Sequence, residues 1–247
     1  MKLGILLKQD LKNLITNPVK VLYCLVYPLF LILLFGFLFS NLYGGESVSS
    51  YDFYGVTMLI YIIISSSTIT PTVFMEERIK QGNLRIAYSP ISRVTIYTSK
   101  LLATFLFMFF TYSLDILALN GLGIVNFGGE KVGYVYLLLM TLLFFATTMG
   151  GAICTIIKSE DLTNKIIGVV VNTLAICSGI FFPIATLGEF ADKASNLSPI
   201  KWVLNKVFEI IYDANLTGYI GILLALLAFS ILFISIIHRK YKVENYL

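Results

Sequence analysis

Six stretches of this chain are apolar for about twenty residues or more. They are Val19–Leu42, Phe53–Met75, Ile96–Leu119, Val132–Ile157, Ile166–Leu187 and Gly218–Ile237. A hydrocarbon core about 30 Å thick takes about 20 residues of helix to cross. None of the runs keeps a polar stripe of helical period, so none has a face to give to water. Only 13% of the residues are charged and the mean hydropathy is +0.86, against about 25% charged in an ordinary soluble domain. These runs predict an all-α polytopic membrane protein with six transmembrane helices, folded as a single transmembrane domain over residues 1–247.

Lysine and arginine fall unevenly between the runs. Lys2, Lys8, Lys12 and Lys20 precede the first; Arg78, Lys80, Arg85, Arg93 and Lys100 follow the second. Lys158 and Lys165 follow the fourth, and Arg239, Lys240 and Lys242 follow the last. With alternating crossings these fourteen lie on one side, leaving Lys131, Lys193, Lys201 and Lys206 on the other. The positive-inside bias then predicts a multi-pass protein of the plasma membrane with both termini in the cytoplasm. The net charge of +4 reflects this bias and forms no separate basic face, so nucleic acid is not an expected partner. The excess of Lys over Arg, with many Ile and Asn, points to a bacterial source.

Residues 1–18 do not read as a cleaved leader, because the apolar run starts late and no small-residue cleavage site follows it. Leu3, Leu7, Leu11 and Leu14 recur at helical spacing until Asn17-Pro18 breaks the pattern. This predicts an amphipathic helix lying in the headgroup region, in contact with membrane lipid. The connection 188–217 mixes charged and apolar positions around Trp202, which predicts short re-entrant or interfacial helices before the last span.

Several chemistries are missing. Cys24, Cys154 and Cys177 stand singly within spans, and His238 is the one histidine, so no disulfide, metal site or histidine-based catalysis is expected. No GxxxxGK[ST] loop occurs, so the chain is not expected to hydrolyse ATP or to be an enzyme. Asp115 is the one acid inside a span. Four residues from the end of its run at Leu119, about 6 Å of helix, it is expected to reach interfacial water. That counts against the alternative reading, an ion-coupled secondary transporter or channel.

Three segments remain. Ser65–Thr72 packs six hydroxyls and Pro71 into eight residues of the second span. The reading is a kinked packing surface or a substrate-facing one, with Ser66 and Thr70 as candidates for the pathway. In the fourth span Thr147–Ala152 reads as a face for close helix packing. The other segment is the charged stretch EERIKQGNLRIAYSPISR, Glu76–Arg93, within a loop spanning 76–95 on the basic side. A polar loop of that length suits contact with a soluble partner.

With these residues in place, the chain resembles the permease subunit of an ABC type-2 exporter. The family's loop after the second span typically carries Glu-Arg, a Gly, a Leu-rich turn, then Ser/Thr-Pro and an Arg. Here Glu77-Arg78 and Ser89-Pro90-Ile91-Ser92-Arg93 match. Gly82 falls one position late, Asn83 stands for the usual Thr, and Arg85 replaces the acidic residue of the turn. Ser178-Gly179-Ile180-Phe181-Phe182-Pro183 is similar to the family's Ser-Gly-x-x-Phe-Pro element, and Leu197-Ser198-Pro199 to its Leu-x-Pro segment.

The resemblance implies a transport subunit driven by two separate ABC ATPases, which bind the ATP and magnesium; this chain binds no cofactor. It also implies a second permease, identical or paralogous. Glu77, Arg78, Gly82, Leu84, Arg85, Ser89, Pro90 and Arg93 would form a coupling helix and its surroundings against the ATPase. Phe181, Phe182 and Pro183 would close the outer end of the pathway. Phe and Tyr together make 34 residues and no charged central cavity is evident, so the expected cargo is hydrophobic or amphipathic: a peptide, an antibiotic or a drug-like molecule.

Overall fold

The computed structural model describes residues 2–40, 49–75, 91–181, 195 and 198–242. The described residues are almost all helical. Helix α1 is Lys2–Ile15. The Asn17 side chain accepts from the backbone N–H groups of Val19 and Lys20, and Pro18 opens α2, Pro18–Val21. This is the expected break, built as an Asn cap with proline at the first helical position. A π-helical turn, Leu22–Val26, leads into α3, Tyr27–Leu38. The wider turn precedes Pro28, which has no N–H to give to a regular α-helical ladder.

The second span is also broken by its proline. Helix α4, Ser50–Ser65, starts at a capping box formed by Ser49 and Asp52. A 3₁₀ turn, Ser66–Thr68, joins it to α5, Ile69–Met75. Pro71 cannot donate to the carbonyl of Ser67, one turn earlier. That carbonyl lies against Gly150, where a β-carbon would come within 2.1 Å of the oxygen. Proline frees the carbonyl and glycine makes room for it, a contact suited to a weak Cα–H···O bond.

Helix α6, Arg93–Gly121, is capped by Ser92, and α7 covers Val132–Ile157. Helix α8, Glu160–Ser178, starts from Ser159 and stops at Gly179, whose φ of 80° suits glycine. Helices α9, Pro199–Tyr212, and α10, Tyr219–Lys240, follow. The heart of the bundle is α7. It is buried nearly all round, and α4, α5, α6, α8, α9 and α10 all touch it. Its Thr147–Ala152 segment is the close-packing face the sequence predicts, with Gly150 against the second span and Gly151 against Leu101 of α6 and Ile237 of α10.

Five of the six expected crossings are helices long and apolar enough to span a membrane: Pro18–Leu38, Ser50–Met75, Arg93–Gly121, Gly129–Ile157 and Tyr219–Lys240. The fifth expected run, 166–187, is helical from Glu160 to Ser178, with Glu160, Asp161 and Lys165 in its first turns. Within 188–217 the described helix is α9, whose buried side repeats at Ile200, Val203, Leu204, Val207 and Ile210.

One face of α1 meets the bundle, and one expectation, for Asp115, needs correction. The buried side of α1 carries Leu6, Asp10 and Leu14, while Leu3 is exposed and Leu7 and Leu11 are half-buried. The helix is turned so that an acid faces α6. Asp115 does not reach a surface: α6 continues to Gly121, Asp115 is 1% exposed, and neither carboxylate oxygen has a hydrogen-bond partner among the described residues.

Candidate functional site

Helix α5 ends at Met75 and α6 begins at Arg93, so these two helices are the roots of the charged stretch. Lys100, seven residues into α6, binds them together. Its ammonium donates to the carbonyl of Val73 in α5 at 2.9 Å and lies 3.9 Å from a carboxylate oxygen of Asp10 in α1. Ser99 donates to the other oxygen of Asp10 at 2.7 Å. All three side chains are buried. A buried charge persists where paired and hydrogen-bonded, and here the pairing unites α1 with both roots of the loop. Beside it Tyr97 meets His238 Nδ1 at 3.0 Å, and Tyr241 packs edge-on against Phe74 and Tyr97. The end of α10 is thereby drawn into the same cluster.

Sequence reasoning missed Asp10 and Ser99 and counted Lys100 as a flanking charge. The available signal was the position of Lys100, about 10 Å up a membrane helix, where a cation needs a partner. Of the coupling residues expected from sequence, Arg93 is exposed at the first turn of α6. Glu77, Arg78, Gly82, Leu84, Arg85, Ser89 and Pro90 lie outside the described residues, as do Phe182 and Pro183.

The candidates along the pathway divide. Ser66 and Thr70 are fully buried. The Ser66 hydroxyl donates to the carbonyl of Ile63 at 2.6 Å, and that of Thr70 to the carbonyl of Thr147 in α7 at 3.1 Å. Thr70 thereby ties the second span to α7, while Ser66 bonds within its own span. The hydroxyls that border open space are those of Ser65, Thr68 and Thr72, on the side toward Tyr23 and α8. A spacing of one helix face separates the two sets, and periodicity without a partner helix could not choose between them. Phe181 packs edge-on to Tyr61 with ring centroids 5.3 Å apart. The Tyr61 hydroxyl donates to Asn172 Oδ1 in α8 at 2.9 Å. This joins α4 to α8 above a cavity of about 160 Å³ lined in part by Ser65, Thr68 and Gly168.

Among the described residues no group of three or more His, Cys, Asp and Glu side chains converges to hold a metal. Comparison with curated proteins finds no match. The sequence profile of the ABC-2 type transporter family matches residues 1–212. With most of its length covered by that match and its helices packed as a membrane bundle, the chain belongs to the ABC-2 type transporter family.

Proposed function

We propose that this chain is the membrane-spanning permease of an ATP-driven exporter that moves a hydrophobic or amphipathic substrate out of the cytoplasm. Two ATPase subunits supply the energy, a second permease completes the pathway, and both termini face the cytoplasm of a bacterial cell. The observation that carries the reading is the buried Asp10–Ser99–Lys100 cluster at the roots of the charged loop. A loop docked on an ATPase transmits force only where its roots are stiff. Lys100 ties both roots to each other and to α1, so a push at the loop moves three helices as one. The family match supports the division of labour, and the sequence carries no phosphate loop of its own.

Purification of the chain with its ATPase, followed by reconstitution in vesicles, tests the proposal. Transport should require the ATPase and ATP, and Glu77→Ala/Arg78→Ala should release the ATPase while leaving the permease folded. Substrate movement by the purified chain alone would overturn it.

One observation favours a second reading, ion-coupled transport: the carboxyl of Asp115, buried and without a hydrogen-bond partner among the described residues. In that case Asp115→Asn would abolish transport and an ion gradient would replace ATP. In the exporter, the isosteric Asn leaves ATP-dependent transport within about two-fold of the parent, well under 1 kcal/mol.

A further inference from the structure

Helix α1 docks by one side and leaves the other bare. Leu6, Asp10 and Leu14 face the bundle, with Leu6 packed in the cluster of Phe74, Ile96, Tyr97 and Tyr241. On the opposite side Ile5, Lys8, Lys12 and Ile15 are exposed. They follow one another at three, four and three residues, which makes a single stripe about 15 Å long. The same alternation of four and three continues through Val19, Leu22 and Val26 of the first span, all exposed. Asp10 is the only acid of α1 and points the other way. Lys8 and Lys12 pair with no carboxylate among the described residues.

The contacts of Asp10 give the depth of this stripe. Lys100, which Asp10 meets, donates to the carbonyl of Val73, two residues before α5 ends at Met75. Asp10 therefore lies at the level where the second span ends, and Lys8 and Lys12 stand two residues to either side of it. Head groups of the adjacent leaflet occupy that level. Toward the first span the stripe turns apolar, at Ile15, Val19 and Leu22, as the hydrocarbon beyond the head groups requires. Lysines at head-group depth with isoleucines beside them suit a helix held on an anionic membrane surface. A soluble partner would favour a row that stops where the membrane begins. This row runs unbroken into the first span.

We propose that the stripe of Ile5, Lys8, Lys12 and Ile15 binds the head groups of anionic phospholipid in the leaflet on the side of the termini. Phosphate oxygens accept from the two ammonium groups, and the isoleucines lie against the first carbons of the acyl chains. The docked helix presents both lysines at head-group depth, so bound lipid stabilises α1 in place. Through Asp10 the same helix holds Ser99 and Lys100 at the roots of the charged loop, so the charge of the leaflet bears on those roots. The binding needs neither an ATPase nor a substrate, and it stands or falls apart from the export reading.

Quenching by brominated lipid reads the surface directly. Trp202 is the one native tryptophan, so Ile15→Trp in a Trp202→Phe background places the sole indole on the stripe. This protein, at full length, is reconstituted in phosphatidylcholine containing brominated phosphatidylglycerol, and in parallel brominated phosphatidylcholine. Phosphatidylglycerol should quench at a lower mole fraction, with a preference of about five-fold for each lysine. Lys8→Gln/Lys12→Gln should abolish the preference, and Lys8→Arg/Lys12→Arg should keep it. Arg239→Gln/Lys240→Gln removes the same charge from the exposed end of α10 and should leave the preference unchanged. Phosphatidylglycerol should also raise the unfolding temperature above that in phosphatidylcholine, and do so less for the glutamine variant of α1. Equal quenching by the two lipids overturns the site. So does a preference that survives Lys8→Gln/Lys12→Gln, or one that falls as far in the α10 variant, which would mean general attraction to a basic face. So does quenching by both lipids that vanishes when the ATPase binds, which would make the stripe part of the ATPase contact. An equal rise in unfolding temperature in both proteins refutes the stabilising role.

Discussion

A lysine seven residues into a membrane-crossing helix has to find an anion, donate to carbonyls or give up its proton. Lys100 does the first two, through Asp10 and Val73, and its location explains why α1 is turned to bury an acid. Lys100→Met leaves Asp10 with Ser99 but without a cation, and should lower stability by about 2–3 kcal/mol, below the 3–5 typical of a closer buried pair. Asp10→Asn/Lys100→Met together should cost less than the sum of the two single changes, because the second removes a charge that the first left unpaired. Thermal unfolding of the purified protein measures the three differences. Function separates a mechanical role from a merely stabilising one. With the ATPase bound, Lys100→Met should hydrolyse ATP at near the parental rate yet transport several-fold less per ATP. Parallel loss of both activities would show that the cluster only holds the fold.

At the scale of helices, the tightest constraint is the contact between the two halves of the kinked second span and α7. Gly150→Ala drives a β-carbon into the Ser67 carbonyl, and backbone cannot step aside as a flexible side chain can. The cost should be about 3 kcal/mol or more, at the upper end for overpacking. Gly168→Ala, on α8 where a β-carbon meets nothing, should cost nothing and gain a few tenths of a kcal/mol in helix propensity. The folded fraction recovered from membranes, read by size-exclusion chromatography, distinguishes them. The packing face on α7 was legible in the sequence because small residues cluster there. The rotation of α1 was not, since its leucines offer two overlapping stripes and only a partner on another helix decides between them. Some helix limits lie beyond the apolar runs. Apolarity starts α8 at 166 and ends α6 at 119, but Ser159 with Glu160 and Asp161 extends the first backwards, and α6 runs on to Gly121. Capped and charged turns belong to the helix although they do not belong to the hydrocarbon. That difference also hid Asp115, which lies farther from the end of its helix than the apolar run implies.

Across the whole molecule, the helices sort into two ends. At one, α1, the first turns of α6 and the last turn of α10 meet through Asp10, Lys100, Tyr97 and His238. At the other, Asp52 accepts from the backbone of Asn126, Lys131 donates to the carbonyl of Ala214, Phe53 stacks on Phe208, and Ser178 bonds Ser198. Both described termini therefore belong to the same end, and a chain that starts and finishes on one side of a membrane crosses it an even number of times. The five strongly apolar helices among the described residues do not give an even count, which leads to the prediction that α8 supplies a sixth crossing despite Glu160, Asp161 and Lys165 in its first turns. Its 19 residues reach about 28 Å, close to the hydrocarbon thickness, and its charges sit where the lysine-rich side would hold them at the headgroups. Cysteine labelling tests this directly. In a background without the native cysteines, Lys2→Cys and Arg239→Cys should resist a membrane-impermeant maleimide in intact cells and react once the membrane is opened. Glu130→Cys and Asp213→Cys, at the opposite end, should react in both. Labelling of Lys2→Cys but not Arg239→Cys in intact cells, or the reverse, would mean an odd number of crossings and remove α8 from the membrane.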